Sequence, residues 1–246
     1  MFKARLKPCT ALLLLFAAMP TLVFAASDPI EPINRGVYKF NDFTDRWVLR
    51  PTAKAYDKVV PGFLKSGISN FFENIGTPAV AVNQLLQGKP LRSLSDTGRF
   101  VVNTTLGVGG LIDVATHAGF AKHDEDFGQT LGVWGAGSGS FVMLPFLGPS
   151  SVRDSLGVAV DGLMNPIRFV KPTESRAAVM ALYVIDLRVA LLSVDQLVTG
   201  DEYLFLRDAY LQSRVFSVND GVMEEDPFAD DGFDDDGFDD DGFDLE

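Results

Sequence analysis

The sequence predicts an all-α domain, and three features carry that prediction. Proline and glycine cut residues 28–222 into short segments, apolar residues recur within them at helical spacing, and alternating β patterns are scarce. With 246 residues, 47% of them hydrophobic, the chain is long enough for one domain with a sizeable core.

The first element is a leader. Lys3, Arg5 and Lys7 form a basic stretch and Thr10 to Phe24 an apolar one, and Ala25 or Ala26 supplies the small residue at which a leader peptidase cuts. Pro20 and the short apolar run argue against a retained membrane span, which needs roughly 20 apolar residues. Cys9, the one cysteine, lies ahead of the apolar run, so no cysteine is placed to carry a lipid after cleavage. The expected mature chain then has neither disulfides nor cysteine ligands. The expected organisation is a signal peptide over 1–25, a helical domain over 26–223 and an acidic tail over 224–246.

Asp28-Pro29-Ile30-Glu31 fits a capping box with Pro29 at a first helical position, and Ile33, Val37, Phe40 and Thr44 then form one stripe of an amphipathic helix. Pro51, Pro61, Pro78 and Pro90 punctuate the next stretch, and Gly62, Gly76 and Gly88 mark expected ends, so Thr77 to Gly88 reads as the clearest short helix. Leu106–Gly110 and Leu131–Gly148 are too rich in glycine for ordinary helices and predict turns, close backbone approaches or a flexible segment. Ser151 with Asp154 repeats the capping pattern before a helix over Leu156–Met164, which Asn165-Pro166 stops. Thr173–Val198 reads as the longest helix, with Gly200 after it, and Glu202–Val218 as the last. Ala177–Ile185 is apolar throughout and predicts a buried core helix, with a lipid-facing side as the alternative.

The net charge of −12 belongs to one end of the chain. Glu224 to Glu246 hold 13 acidic residues and no basic one, in a five-residue repeat of Phe with Asp and Gly, which predicts disorder. The repeat matches neither an EF-hand loop nor a calcium-binding nonapeptide, though weak calcium binding or docking on a partner are functional readings of it. No nucleic-acid partner is expected.

Catalytic motifs are thin. The glycines at 135, 137 and 139 lack the spacing and flanking elements of a dinucleotide site, and no Gly-x-Ser-x-Gly elbow surrounds Ser138, Ser140 or Ser151. His123-Asp124-Glu125-Asp126 is the one metal-like cluster, and sequence neighbours cannot all face one ion, so no metal and no cofactor is expected. Asp154 and Asp161, seven residues apart, read as capping and surface groups. The chain is expected not to be an enzyme.

Six stretches together resemble the VacJ/MlaA family: DPIEPINRGVYKFN from Asp28, RPTAKAYDKVVP from Arg50, GISNFFENIGTPAVAVNQLLQG from Gly67, RFVVNTTLGVGGLIDVA from Arg99, DFGQTLGVWGAGSG from Asp126 and LPFLGPSSVRDSLG from Leu144. The resemblance implies a helical ring in the inner leaflet of the outer membrane, with an amphipathic central channel. It implies removal of misplaced phospholipid from the outer leaflet, handed to a periplasmic lipid carrier protein, with an outer-membrane porin trimer as membrane partner. Family carry-over places control of channel access at Asn34, Arg35, Phe40 and Asn41, and suggests a channel mouth at Leu131, Gly132, Trp134, Gly135, Gly137 and Gly139. Arg153 and Asp154 are expected to act structurally at a helix start. The ordinary leader sets this chain apart from relatives with a lipid-bearing cysteine, and predicts an exported protein on the periplasmic side of the outer membrane without a lipoprotein anchor. The other reading kept open is a periplasmic scaffold or binding protein that recruits partners, or calcium, through its tail.

Overall fold

Residues 28–193, 195 and 200–222 are described by the computed structural model, so the leader and the acidic tail lie outside the described residues. The first arm is α1 (Glu31–Thr44) and α2 (Arg50–Val59), joined by five residues of π-helix, Asp45–Leu49. Pro51 explains the widened turn. It has no N–H to give and its ring crowds the carbonyl four residues back, and the Arg50 N–H instead reaches Asp45 O.

The two most intimately packed helices are α3 (Gly62–Leu86) and α4 (Pro90–Thr105), which meet through a tight turn at Gly88. Then come α5 (Val114–His117) and α6 (Phe127–Val133). An antiparallel hairpin, β1 (Phe141–Leu144) and β2 (Gly148–Ser151), pairs Phe141 with Ser151 and Leu144 with Gly148. Helix α7 (Val152–Met164), a 3-10 turn (Pro166–Phe169), α8 (Thr173–Ala190) and α9 (Glu202–Val218) complete the order.

The fold is all-α apart from this hairpin, as expected, and several elements correct the sequence reading. Glu31 does open a helix, but Asp28 is no N-cap: the N-cap is Ile30, and the Asp28 carboxylate instead accepts Asn34 Nδ2 and the Tyr203 hydroxyl. Thr77 to Gly88 is not a separate helix. It is the second half of α3, the longest element, which runs through Pro78 while Thr77 Oγ1 donates to Glu73 O. Helix α8 stops at Ala190, short of Val198, and buries none of its residues, so Ala177–Ile185 is not a core helix. The start signal at Ser151 holds, its Oγ accepting the Asp154 N–H at 3.1 Å to open α7, and the structure adds one at Asp201, which accepts the N–H groups of Tyr203 and Leu204 to open α9.

Burial runs against the usual pattern. Among the described residues only nine apolar side chains are buried, against fourteen polar or charged ones, while thirty-four large apolar side chains are exposed. A water-soluble domain of this size buries its leucines and phenylalanines, because each contributes about 1.5–3 kcal/mol on leaving water. Here α1 and the π-turn expose Ile33, Phe43 and Trp47, α3 and α4 expose Phe63, Leu91 and Leu94, and α7 exposes Leu156 and Leu163. Among the described residues no helix is long and apolar enough to cross a membrane.

The interior is held by saturated polar networks. Asp154 Oδ1 accepts from Arg153 Nε and Arg214 Nη2, both at 2.9 Å, and its Oδ2 accepts the Tyr210 hydroxyl at 2.6 Å. Arg214 also forks onto Asp126, which caps α6 by accepting the Gln129 N–H. Burial alone would raise the Asp154 pKa, but Tyr210, Arg153 and Arg214 outweigh it and hold it at about 2. Two glycines allow this approach: a Cβ on Gly157 would lie 2.4 Å from Gly128 N, and one on Gly128 would lie 2.5 Å from Asp154 Oδ1. Asp154 and Asp161 are therefore not surface groups. Asp161 ties α7 to α3 and α6 by accepting from Asn83 Nδ2 and the Phe127 N–H.

Candidate functional site

Helices α3, α4 and α8 and the segment 113–124 enclose a cavity of about 410 Å³. Its lining is mixed. Phe72, Val80, Tyr183, Leu187 and Ala190 supply apolar surface, and Asp96, Arg99, Asn103, Asp113, His123 and Asp124 supply polar surface. The polar wall comes from sequence spacing: Asp96, Arg99 and Asn103 lie three and four residues apart on α4, so they share one face, and that face is the buried one.

Most of this wall is locked. Arg99 donates to Asp113 Oδ2 at 2.7 Å, to Thr116 Oγ1 at 2.8 Å and to Phe120 O at 3.0 Å, while Asn103 Nδ2 donates to Asp113 Oδ1 at 3.0 Å. Burial works against the Asp113 carboxylate, but Thr116, Asn103 and Arg99 hold its pKa well below the usual range. Asn103 Oδ1 in turn accepts the Ala115 N–H at 2.8 Å. The glycine run makes the loop possible: a Cβ on Gly107 would meet Ile112 O at 2.1 Å, and Gly110, at φ 95°, lies against Asn74.

None of the ten residues suggested from sequence as access or mouth groups lines this cavity. Two of them act as a pair elsewhere. Asn34, 1% exposed, donates Nδ2 to Phe141 O at 3.0 Å and accepts the Met143 N–H at 2.9 Å. Asn41, two turns along α1, repeats the arrangement with Leu144 O at 2.9 Å and the Phe146 N–H at 2.8 Å. Each amide thus stands in for a neighbouring strand, bonding the C=O of one hairpin residue and the N–H two residues later. These bonds span more than a hundred residues of sequence and are not local. Phe40 is exposed and meets Phe146 edge to face at 5.1 Å, and Arg35 bridges Glu31 and Asp201 over the Tyr203 ring.

The remaining candidates belong to α6 and the link to β1. Leu131 is buried, Gly132 lies against Val218, and Trp134 donates Nε1 to Leu86 O at 3.0 Å, satisfying a carbonyl at the end of α3. Gly135 and Gly139 have φ of 90° and 68°, which only glycine adopts without strain, and Gly137 lies in the open link between them.

The His123–Asp126 side chains diverge. His123 pairs with Asp96, Glu125 with Lys89 and Gln87, and Asp126 with Arg214, and among the described residues no group of three such ligands converges. Sequence reasoning missed Asn74, Arg99, Asn103 and Asp113. The one signal for Arg99 and Asn103 was the polar stripe on α4, the reverse of an ordinary amphipathic core face, and Asn74 and Asp113 had none.

Known proteins share this architecture. Residues 26–217 match the family model described as MlaA lipoprotein. The chain is 38% identical over 228 residues to the intermembrane phospholipid transport system lipoprotein MlaA of Escherichia coli (strain K12), covering 89% of this chain and 90% of that protein. It is 32% identical over 205 residues to the protein of the same name from Haemophilus influenzae, covering 81% and 82%. A solved chain described under the structural basis for maintenance of bacterial outer membrane lipid asymmetry superposes with a TM-score of 0.70 at 39% identity, covering 78% of this chain and all of that one. These relatives correct one expectation. They are named lipoproteins, proteins held at the membrane by a lipid anchor, which overturns the reading of an outer-membrane protein without one. That reading rested on the placement of Cys9, which lies outside the described residues.

Proposed function

This chain belongs to the MlaA lipoprotein family, and from that premise we propose that it transports phospholipid at the bacterial outer membrane and so maintains lipid asymmetry. The observation that carries this reading is the inverted polarity of the fold: apolar side chains face outward all along α1, α3, α4 and α7, and polar groups line an internal cavity. An exterior of this kind is stable against acyl chains, and an amphipathic interior suits a molecule with a charged head and two hydrocarbon tails. Transport of this kind needs no bond-making chemistry, so the protein works as a conduit and not as an enzyme.

The helices lie as a ring in the inner leaflet, and the cavity between α3, α4 and α8 belongs to the route the lipid takes. The hairpin held by Asn34 and Asn41, with Phe40 against its tip and Arg35 bracing α1, governs access. The segment from Leu131 to Gly139, through Gly132, Trp134, Gly135 and Gly137, sets where that hairpin begins. Misplaced phospholipid leaves to a periplasmic carrier, and an outer-membrane porin trimer seats the ring. Deleting the gene should raise surface-exposed phospholipid and sensitise cells to detergent, and protein purified from outer membranes should carry phospholipid and porin. Normal surface lipid in the deletion strain, together with lipid-free protein, would overturn the reading.

A further inference from the structure

Five carboxylates and two fixed cations line the cavity, and both cations are already committed. Arg99 is held by Asp113 at 2.7 Å and Lys122 by Glu73 at 2.7 Å. Asp96 is taken by His123 at 2.9 Å. Two carboxylates are left over. Asp186 accepts one hydrogen bond, from Ser69 Oγ at 2.9 Å, and among the described residues neither Asp186 nor Asp124 has a cation within ion-pair distance. Tyr183 lines the same cavity, and its ring meets that of Phe72 at 4.9 Å with the planes tilted by 51°. Asn74 adds one more acceptor. It is 5% exposed, it lines the cavity, and its Oδ1 has no hydrogen-bond partner although its Nδ2 donates to Thr104.

Every one of these spare groups asks for the same chemistry. Carboxylates and an amide oxygen accept hydrogen bonds and attract positive charge, and an aromatic face attracts cations as well. A buried acceptor without a donor, such as Asn74 Oδ1, costs free energy until a ligand supplies one. We propose that Asp124, Asp186, Tyr183 and Asn74 form a subsite for a primary ammonium, which selects phospholipids with a zwitterionic aminoethyl headgroup over anionic ones. The inference rests on the transport reading and names the substrate class that the same cavity takes. Partial desolvation pushes both carboxyls above the ordinary range, helped by Asp126 and Glu125 at Asp124, which lies at the exposed rim, and by Glu73 at the half-buried Asp186.

The test presents the purified full-length protein with vesicles of equimolar phosphatidylethanolamine and phosphatidylglycerol and reads the bound lipid by mass spectrometry. The wild type should enrich the ethanolamine lipid about fivefold or more, D124N/D186N should bring the ratio to within about twofold of the input, and D124E/D186E should keep the enrichment. N-acetylated phosphatidylethanolamine, which lacks the cation, should lose its advantage on the wild-type protein, a measurement independent of whether any variant folds. Uptake of both lipids in the input ratio, or retained preference for the acetylated lipid, overturns the subsite while leaving transport intact. Uptake of neither lipid overturns the transport reading and the subsite with it.

Discussion

Two regions of this molecule bury polar groups, and they do so to opposite ends. At the junction of α6, α7 and α9 every partner of Asp154 is in place: Arg153, Arg214 and Tyr210 surround it within 2.6–2.9 Å, and Arg214 goes on to Asp126. In the cavity between α3, α4 and α8, the buried Asn74 Oδ1 has no partner among the described residues, the half-buried Asp186 has Ser69 alone, and Asp124, exposed at the rim, has no cation beside it. A network with all its bonds made fixes the backbone around it, whereas a network with bonds missing is a surface for a ligand. Both rest on glycine: Gly128 and Gly157 bring two helices together at the junction, and Gly107 and Gly110 fold the loop that closes the cavity wall.

The contrast is sharpest in what a single substitution does. Asp154→Ala removes the carboxylate that Arg153, Arg214 and Tyr210 share, and should cost about 3–5 kcal/mol in denaturant unfolding of the detergent-solubilised protein. An unfolding midpoint close to that of the wild type would show that the junction does not anchor the fold. The acid limb gives a second view of the same residue. Its folded pKa of about 2 lies below the ordinary 3.8, so its stabilisation is present above about pH 4 and is lost as pH falls through 2, and the Ala variant should lack that slope.

Next in size is Gly157→Ala. The added methyl has only the α6 backbone to meet, and a loss of about 1–3 kcal/mol is expected, with no such loss at Gly162, where nothing lies within 4 Å. Asn34→Ala should cost a similar amount, about 1–3 kcal/mol, because the Met143 N–H and Phe141 O lose their partner inside the protein. Hydrogen exchange separates the two: the Asn34 variant should free the Met143 amide while the α6 and α7 amides stay protected.

The smallest effect belongs to the cavity, and its sign is reversed. Asp124 and Asp186 have raised pKa values, so their contribution is favourable below the ordinary carboxylate range and is lost as pH rises through the folded values. D124N/D186N should therefore leave stability at pH 7 within about 0.5 kcal/mol of the wild type or raise it. A loss of several kcal/mol in that variant would mean that these carboxylates hold the fold together, and the distinction between the two regions would collapse.

Local signals in the chain were dependable where one residue type enforces one geometry. Ser151 begins a helix, Asn165-Pro166 ends one, and the glycines after 106 and 131 do mark turns and close approaches. They misled where a local preference was overridden. Pro78 reads as a boundary, yet α3 passes through it, and Asp28 reads as a cap, yet its carboxylate is drawn to Asn34 and Tyr203. The Asp96, Arg99 and Asn103 stripe of the cavity lay in the sequence at helical spacing but went unread there. The rest had no such spacing, because Asn74, Asp124 and Asp186 come from three separate segments whose convergence no spacing records.

By itself, then, the chain determined its helical class, the start at Ser151 and the stop at Asn165-Pro166, and its family membership, since each depends on residues near one another or on motifs in a fixed order. Tertiary structure alone decided which faces point inward. Amphipathic periodicity separates two sides of a helix without saying which one meets solvent, and here packing turned the polar side in and the apolar side out. It also decided which buried polar groups found partners, because that depends on contacts made across a hundred residues, as between Asn34 and the hairpin.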